Sequence, residues 1–180
     1  MREEQNQLGN YSTSETLYAL IGCGSSKQKG RMPAGELYSS TYFEKKREFA
    51  EQLCDKWRIV SAKYGIVHPN TLILNYDASI DDVDINEWMD AVEEGFEELD
   101  WREGDEVWAL IGQRYLDVGA EDGRSLRKLL NRSEPDIYYP FEQTSGIGEQ
   151  NQWLSACVEE GEAVMPYSLD SQDQSSLSEF

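Results

Sequence analysis

The sequence predicts an α/β fold: a Rossmann-like three-layer sandwich, with a mainly parallel sheet of four or five strands and helices on both faces. Three observations carry that expectation. Short apolar runs at 17–22, 58–62, 106–112 and 136–141 have strand length. Segments with apolar residues at helical spacing separate most of them. Each run ends in a small or glycine residue followed by polar groups. Strands alternating with helices are best satisfied by parallel pairing through right-handed crossovers.

Taken in order, "LYALIG" (17–22) reads as a buried strand, and "STYFEKKREFAEQLCDKW" after it reads as a helix. Thr41 with Glu44 fits a capping box. Tyr42, Phe49, Ala50, Leu53 and Trp57 recur at helical spacing; Lys45, Lys46 and Arg47 either belong to the basic balance of this segment or are simply the solvated face of the helix. "RIVSA" (58–62) is the second strand and "TLILNYD" (71–77) a short extended piece. Asp84 with Glu87 repeats the capping-box pattern, and Ile85, Trp88, Met89, Val92, Phe96 and Leu99 mark one apolar stripe opposite an acidic face. "EVWALIG" (106–112) is the third strand. Leu126, Leu129 and Leu130 belong to a short helix, "DIYYPF" (136–141) is the fourth strand, and a last helix with Trp153, Leu154, Cys157 and Val158 inward follows "TSGIG". Residues 1–14 and 166–180 are rich in Ser, Gln, Asp and Glu and read as disordered tails around a single domain, 15–165.

Composition narrows the function. No apolar run approaches the ~20 residues that span a bilayer, and the N-terminus has neither a basic start nor an apolar core of a secretory signal. Cys23, Cys54 and Cys157 are three cysteines without CxxC spacing, so a reducing cytoplasm is expected. One histidine, His68, excludes a multi-histidine metal site. The net charge of -19 normally argues against a nucleic-acid partner. Adaptation to a high-salt cytoplasm is the favoured account of it: only seven Lys are present, and in molar salt the Debye length falls to about 3 Å. Residues 23–70 nonetheless carry nine Lys or Arg against five Asp or Glu, a balance of +4 that leaves -23 for the rest.

The strand ends hold the residues with chemistry: "GCGSSK", "SAKYG", "GQRY" and "PFEQTSGIGEQ". In parallel sheets ligands sit beyond the carboxyl ends of the strands. Ser25, Ser26, Lys27 and Ser40 suit an anion, with Ser40 at a helix N-terminus. Gly146 and Gly148 precede another helix N-terminus. Lys63 and Arg114 add cationic contacts. Tyr38, Tyr64, Tyr76 and Tyr115 suit stacking on a base or hydrogen bonding, or serve as core. Asp77 is a candidate general base, or else a turn cap. Cys23 is either a small buried side chain or a nucleophile needing a partner base, for which His68 is the one imidazole. Neither glycine loop is a Walker A loop and no GxGxxG is present, so no cofactor is expected and no metal.

The stretch from Cys23 to Asp77 resembles the DUF6884 family, a domain family of unknown function. The resemblance falls on Cys23, Ser26 and Lys27; on Leu37, Tyr38, Ser40 and Phe43; on Ser61, Ala62, Lys63, Tyr64 and Gly65; and on Tyr76 and Asp77. It continues through Gly112, Tyr115, Gly146, Gly148, Trp153 and Leu154, over roughly 17–160. "CGSSK" has one extra residue, and "VGAEDG" after Tyr115 looks like an insertion. More distantly, Cys23, Lys27, Tyr38 and Phe43 are similar to the core domain of archaeosine synthase and to the YaaA family. That likeness implies a nucleotide, a nucleobase or nucleic acid as partner. The expected protein therefore has a cleft that binds a nucleotide or base, with group transfer to the base or its cleavage as candidate chemistry. Asp77, Lys63 and Cys23 are its candidate catalytic residues. A non-catalytic sensor or accessory module using the same cleft is the alternative.

Overall fold

The computed structural model describes residues 15–166. The tails expected at 1–14 and 166–180 lie outside these residues, apart from Pro166. Strand β1 (Leu17–Gly22) is the centre of a five-stranded sheet. It pairs in parallel with β3 (Lys56–Ser61) on one side and with β6 (Glu106–Leu110) on the other. Beyond β6 lies parallel β7 (Asp136–Tyr138), and beyond β3 lies antiparallel β4 (Gly65–Val67). The spatial order is β4-β3-β1-β6-β7. A mixed α/β fold with a mostly parallel sheet results, as the sequence predicts.

Both faces of the sheet are buried, which is why its strands read as continuous apolar runs. Side chains alternate across β1: Ala19 and Ile21 enter one core, Tyr18 and Leu20 the other. The first core also takes Phe43, Phe49 and Ala50 of α2 (Thr41–Leu53) and Trp153, Leu154 and Cys157 of α6 (Ile147–Glu160). The second takes Trp88, Met89 and Val92 of α3 (Ile85–Glu97), Leu116 of α4 (Gln113–Asp117) and Leu126 and Leu130 of α5 (Leu126–Arg132). Helices thus cover both faces and complete three layers.

Several local expectations change. The cap of α2 is Ser40, whose Oγ accepts from Phe43 N at 3.1 Å; Thr41 is already helical, so the Thr41–Glu44 box does not form. Trp57 belongs to β3 because Cys54 ends the helix. Asp84 does cap α3, accepting from Glu87 N. The fourth run is strand only over Asp136–Tyr138, since Pro140 starts a 3-10 turn. Gly148 lies inside the first turn of α6, not before it. The extended piece becomes β5 (Leu72–Leu74), which pairs antiparallel with β2 (Arg31–Pro33) as a separate two-stranded ribbon. Between β2 and α2 lies one short turn, α1 (Ala34–Leu37).

The β3–β4 reversal depends on Gly65, with φ +71. A Cβ there would stand 2.9 Å from the backbone carbon of Ala91 in α3. Left-handed backbone and overpacking add for any larger residue. Gly65→Ala is expected to lower unfolding stability by about 2–4 kcal/mol in urea titration. A loss under about 1 kcal/mol would contradict this packing.

Candidate functional site

The carboxyl ends of β1, β3, β6 and β7 open on one edge. The chain turns from β1 towards β3 on one side and later resumes at β6 on the other, so the crevice between β1 and β6 is the topological switch point. Cys23 N extends the β1 ladder by donating to Val60 O at 3.0 Å. Its Sγ is 3.4 Å from the hydroxyl of Tyr115, which comes from α4 just after β6. The pair spans the switch point.

Ser61, at the end of β3, is fully buried. Its Oγ accepts from Lys63 N (3.2 Å) and Tyr64 N (3.1 Å), which fills both lone pairs. Its hydroxyl therefore donates to Tyr76 Oη, 2.8 Å away. Tyr76 and Tyr38 hydroxyls are also 2.8 Å apart. Three hydroxyl protons serve two bonds, so one tyrosine O–H is left without an acceptor within the array. Tyr64 packs edge-on against Tyr76, with centroids 5.7 Å apart. Burial pushes Tyr38 up to about 12, with Cys23 adding to it; the same causes raise Tyr76 and Tyr115. All three are neutral donors at physiological pH.

The loop after β1 is pinned to this array. Gln28 N donates to Leu37 O (2.8 Å) and Ser39 N to Ser26 O (3.0 Å). That places Lys27 Nζ 4.3 Å from the Tyr76 ring centroid and 5.9 Å from that of Tyr38. Lys63 Nζ stands 5.3 Å from the Tyr64 ring. Asp77 directly follows Tyr76 and is exposed. Its carboxylate has no hydrogen bond or ion pair with Lys27, Lys63 or another group among the described residues.

Other expected residues are engaged differently. Arg114 pairs with Asp81, so its charge is already met. Ser40 Oγ is used as the α2 cap, and Gly24 leaves room for it: a Cβ there would lie 3.2 Å away. Ser25 and Ser26 are exposed on the loop. His68 does not partner Cys23; its Nδ1 accepts from Asn70 N, and it lines a separate groove with Arg58 and Glu98. Gly146 caps α6 without a side-chain partner and borders a pocket of about 450 Å³. Gly112, Gln113, Glu142, Thr144 and Gln150 also line it. A Cβ on Gly148 would meet open space.

The sequence reading misplaces Lys46. It is 3% exposed, not solvated. It donates to Gly22 O at 2.7 Å and lies 4.3 Å from the Tyr42 ring, whose hydroxyl donates to Gln150 in the pocket wall. No carboxylate pairs with it among the described residues. Burial lowers its ammonium to about 8, partly offset by Cys23. The signal was present: position 46 is three residues after Phe43 and four before Ala50, the buried side of α2.

Among the described residues no cluster of three metal-ligating side chains occurs, and no helix is long and apolar enough to cross a membrane. The family model described as "Family of unknown function (DUF6884)" matches residues 18–156, from β1 into α6. The chain belongs to the DUF6884 family. It is 28% identical over 150 residues to Uncharacterized protein YfjM of Bacillus subtilis (strain 168), covering 78% of this chain and 94% of that protein. No solved structure matches. The DUF6884 match takes in all four strand-end segments, so the cleft lies wholly within the family region.

The buried ammonium of Lys46 has a pH signature. Folded, it binds its proton less tightly than the unfolded amine at 10.5, so the unfolded chain holds more protons between the two values. The penalty is full below about pH 8 and is relieved as pH rises; above pH 10 unfolded tyrosines ionise and reverse the trend. In urea titrations the wild type is expected to gain roughly 2 kcal/mol on Lys46→Met between pH 8 and 10. A gap that stays constant with pH would contradict a charged, buried Lys46.

Proposed function

We propose that the switch-point cleft binds a nucleotide or a nucleobase. The single observation that carries this is the joined array Ser61–Tyr76–Tyr38, with one O–H left over and Lys27 beside the rings. A purine or pyrimidine offers what that array lacks: a planar face for the tyrosines and a carbonyl or ring nitrogen to accept the spare proton. Lys27 and the exposed Ser25 and Ser26 suit the attached phosphate. The wider likeness of Cys23, Lys27 and Tyr38 to archaeosine synthase and the YaaA family supports the same ligand class.

Binding is favoured over acid–base catalysis. Lys27 and Lys63 sit over different rings, and Asp77 pairs with neither among the described residues. Group transfer through Cys23 is the second reading. It is favoured by the position of the thiol, which Tyr115 holds at the point where β1 and β6 part.

The test is calorimetric titration with a panel of nucleoside monophosphates and free bases. At least one is expected to bind, and Lys27→Ala and Tyr76→Phe should each weaken it about 5- to 30-fold, the equivalent of one hydrogen bond or charge contact. Lys27 is at the surface edge, so its variant should keep the wild-type melting midpoint. Binding unaltered in both variants would remove this cleft as the site.

A further inference from the structure

Four cations stand beside the cleft. Lys27, Lys29, Arg31 and Lys63 form no ion pair within 4 Å among the described residues; what sets them apart from the other unpaired cations is their grouping at this edge. The four are contiguous. Arg31 of β2 is the register partner of Leu74 in β5. Leu74 O accepts from Tyr64 Oη at 3.4 Å, and Lys63 lies over that same ring. Gly30, next to Lys29, is held by Asn75, and Lys27 lies over Tyr76.

The β2–β5 ribbon presents two different faces. Met32 and Ile73 turn towards the core. Directly opposed residues of an antiparallel pair share a face, so Arg31, Pro33, Leu72 and Leu74 point together to the other side. Leu72 and Leu74 are 54% and 55% exposed, which is unusual for leucines on a paired strand. The surface leading into the tyrosine array is therefore cationic and apolar at once. The bordering carboxylates are Glu36 and Asp77, both exposed. Residues 23–70 balance to +4 while the rest of the chain sums to -23, so at short range a polyanion meets the least like charge on this face.

We propose that the ribbon and the loop before it form a docking surface for single-stranded nucleic acid, which delivers one of its bases into the cleft. This rests on the nucleotide reading of the cleft and names its ligand as a nucleotide within a strand. Phosphates meet Lys27, Lys29, Arg31 and Lys63, and neighbouring bases lie on Leu72, Leu74 and Tyr64. A strand suits the site better than a duplex, because a stacked base cannot reach Tyr38 and Tyr76 without leaving its helix. An anionic bilayer would meet the lysines and leucines but could not enter the tyrosine array.

The experiment is fluorescence anisotropy with labelled mixed-sequence DNA and RNA strands of about 12 nucleotides, between about 0.2 and 1 M KCl. Four phosphate contacts give a log–log salt slope of about -3, roughly a hundredfold loss across that range. The double variant Lys29→Ala/Arg31→Ala should reduce the slope to about half, while mononucleotide binding stays at the wild-type value. Strands that bind no more tightly than the mononucleotide, or a double variant with an unchanged slope, overturn the docking surface and leave the cleft standing. Absence of both strand and mononucleotide binding overturns both readings. Equal binding of the matching duplex, or displacement of the strand by phosphatidylserine vesicles, also overturns the proposal.

Discussion

Everything in this molecule is arranged around the two-sided parallel pairing of β1. Its register runs Tyr18 to Lys56 through Gly22 to Val60 on one side, and Leu17 to Glu106 through Ile21 to Leu110 on the other. Parallel neighbours bring loops from distant parts of the chain to one edge. Because the chain leaves β1 in one direction and returns at β6 in the other, the loops part there and a crevice opens. Cys23 and Tyr115 meet across it, although 92 residues separate them in sequence.

The same constraint explains the unusual electrostatics of the edge. Helix α2 packs over β1, and its position 46 points at the last carbonyl of that strand. An ammonium held there has a carbonyl and an aromatic face but no counter-charge among the described residues. Burying such a cation is costly, and burial accordingly lowers its proton affinity. Around it, neutral tyrosines are tied to Ser61 and to one another, so the site supplies fixed donors rather than mobile charges. The strand-end edge thus combines neutral hydroxyl donors with lysines at its margin.

The fold was legible in the sequence because it rests on pattern. Strand-length apolar runs such as 17–22 and 106–112 predict themselves, and the Asp84 cap with its following stripe predicts α3. What was not legible depends on tertiary choice. Thr41 and Ser40 both stand where α2 begins, and only the backbone shows that Thr41 is already helical and Ser40 is the cap. The extended piece 71–77 carries no signal of its partner, and its strand pairs with β2 instead of joining the main sheet. Lys46 was assigned to solvent because lysine usually is, against the evident periodicity of its neighbours. At the site, the tyrosines and Cys23 come together as strand-end residues should, but the pairing of Arg114 with Asp81 and the distance of His68 from the thiol depend on loop paths that no local pattern encodes.

The most direct test of the central claim is amide hydrogen exchange with and without a saturating mononucleotide. Exchange reports local opening segment by segment. If one ligand occupies the crevice between the strand ends, protection must increase together in the segments around Cys23–Lys27, Ser61–Tyr64 and Gly112–Tyr115. Protection confined to one of these segments, or to none, would contradict a shared cleft at the switch point.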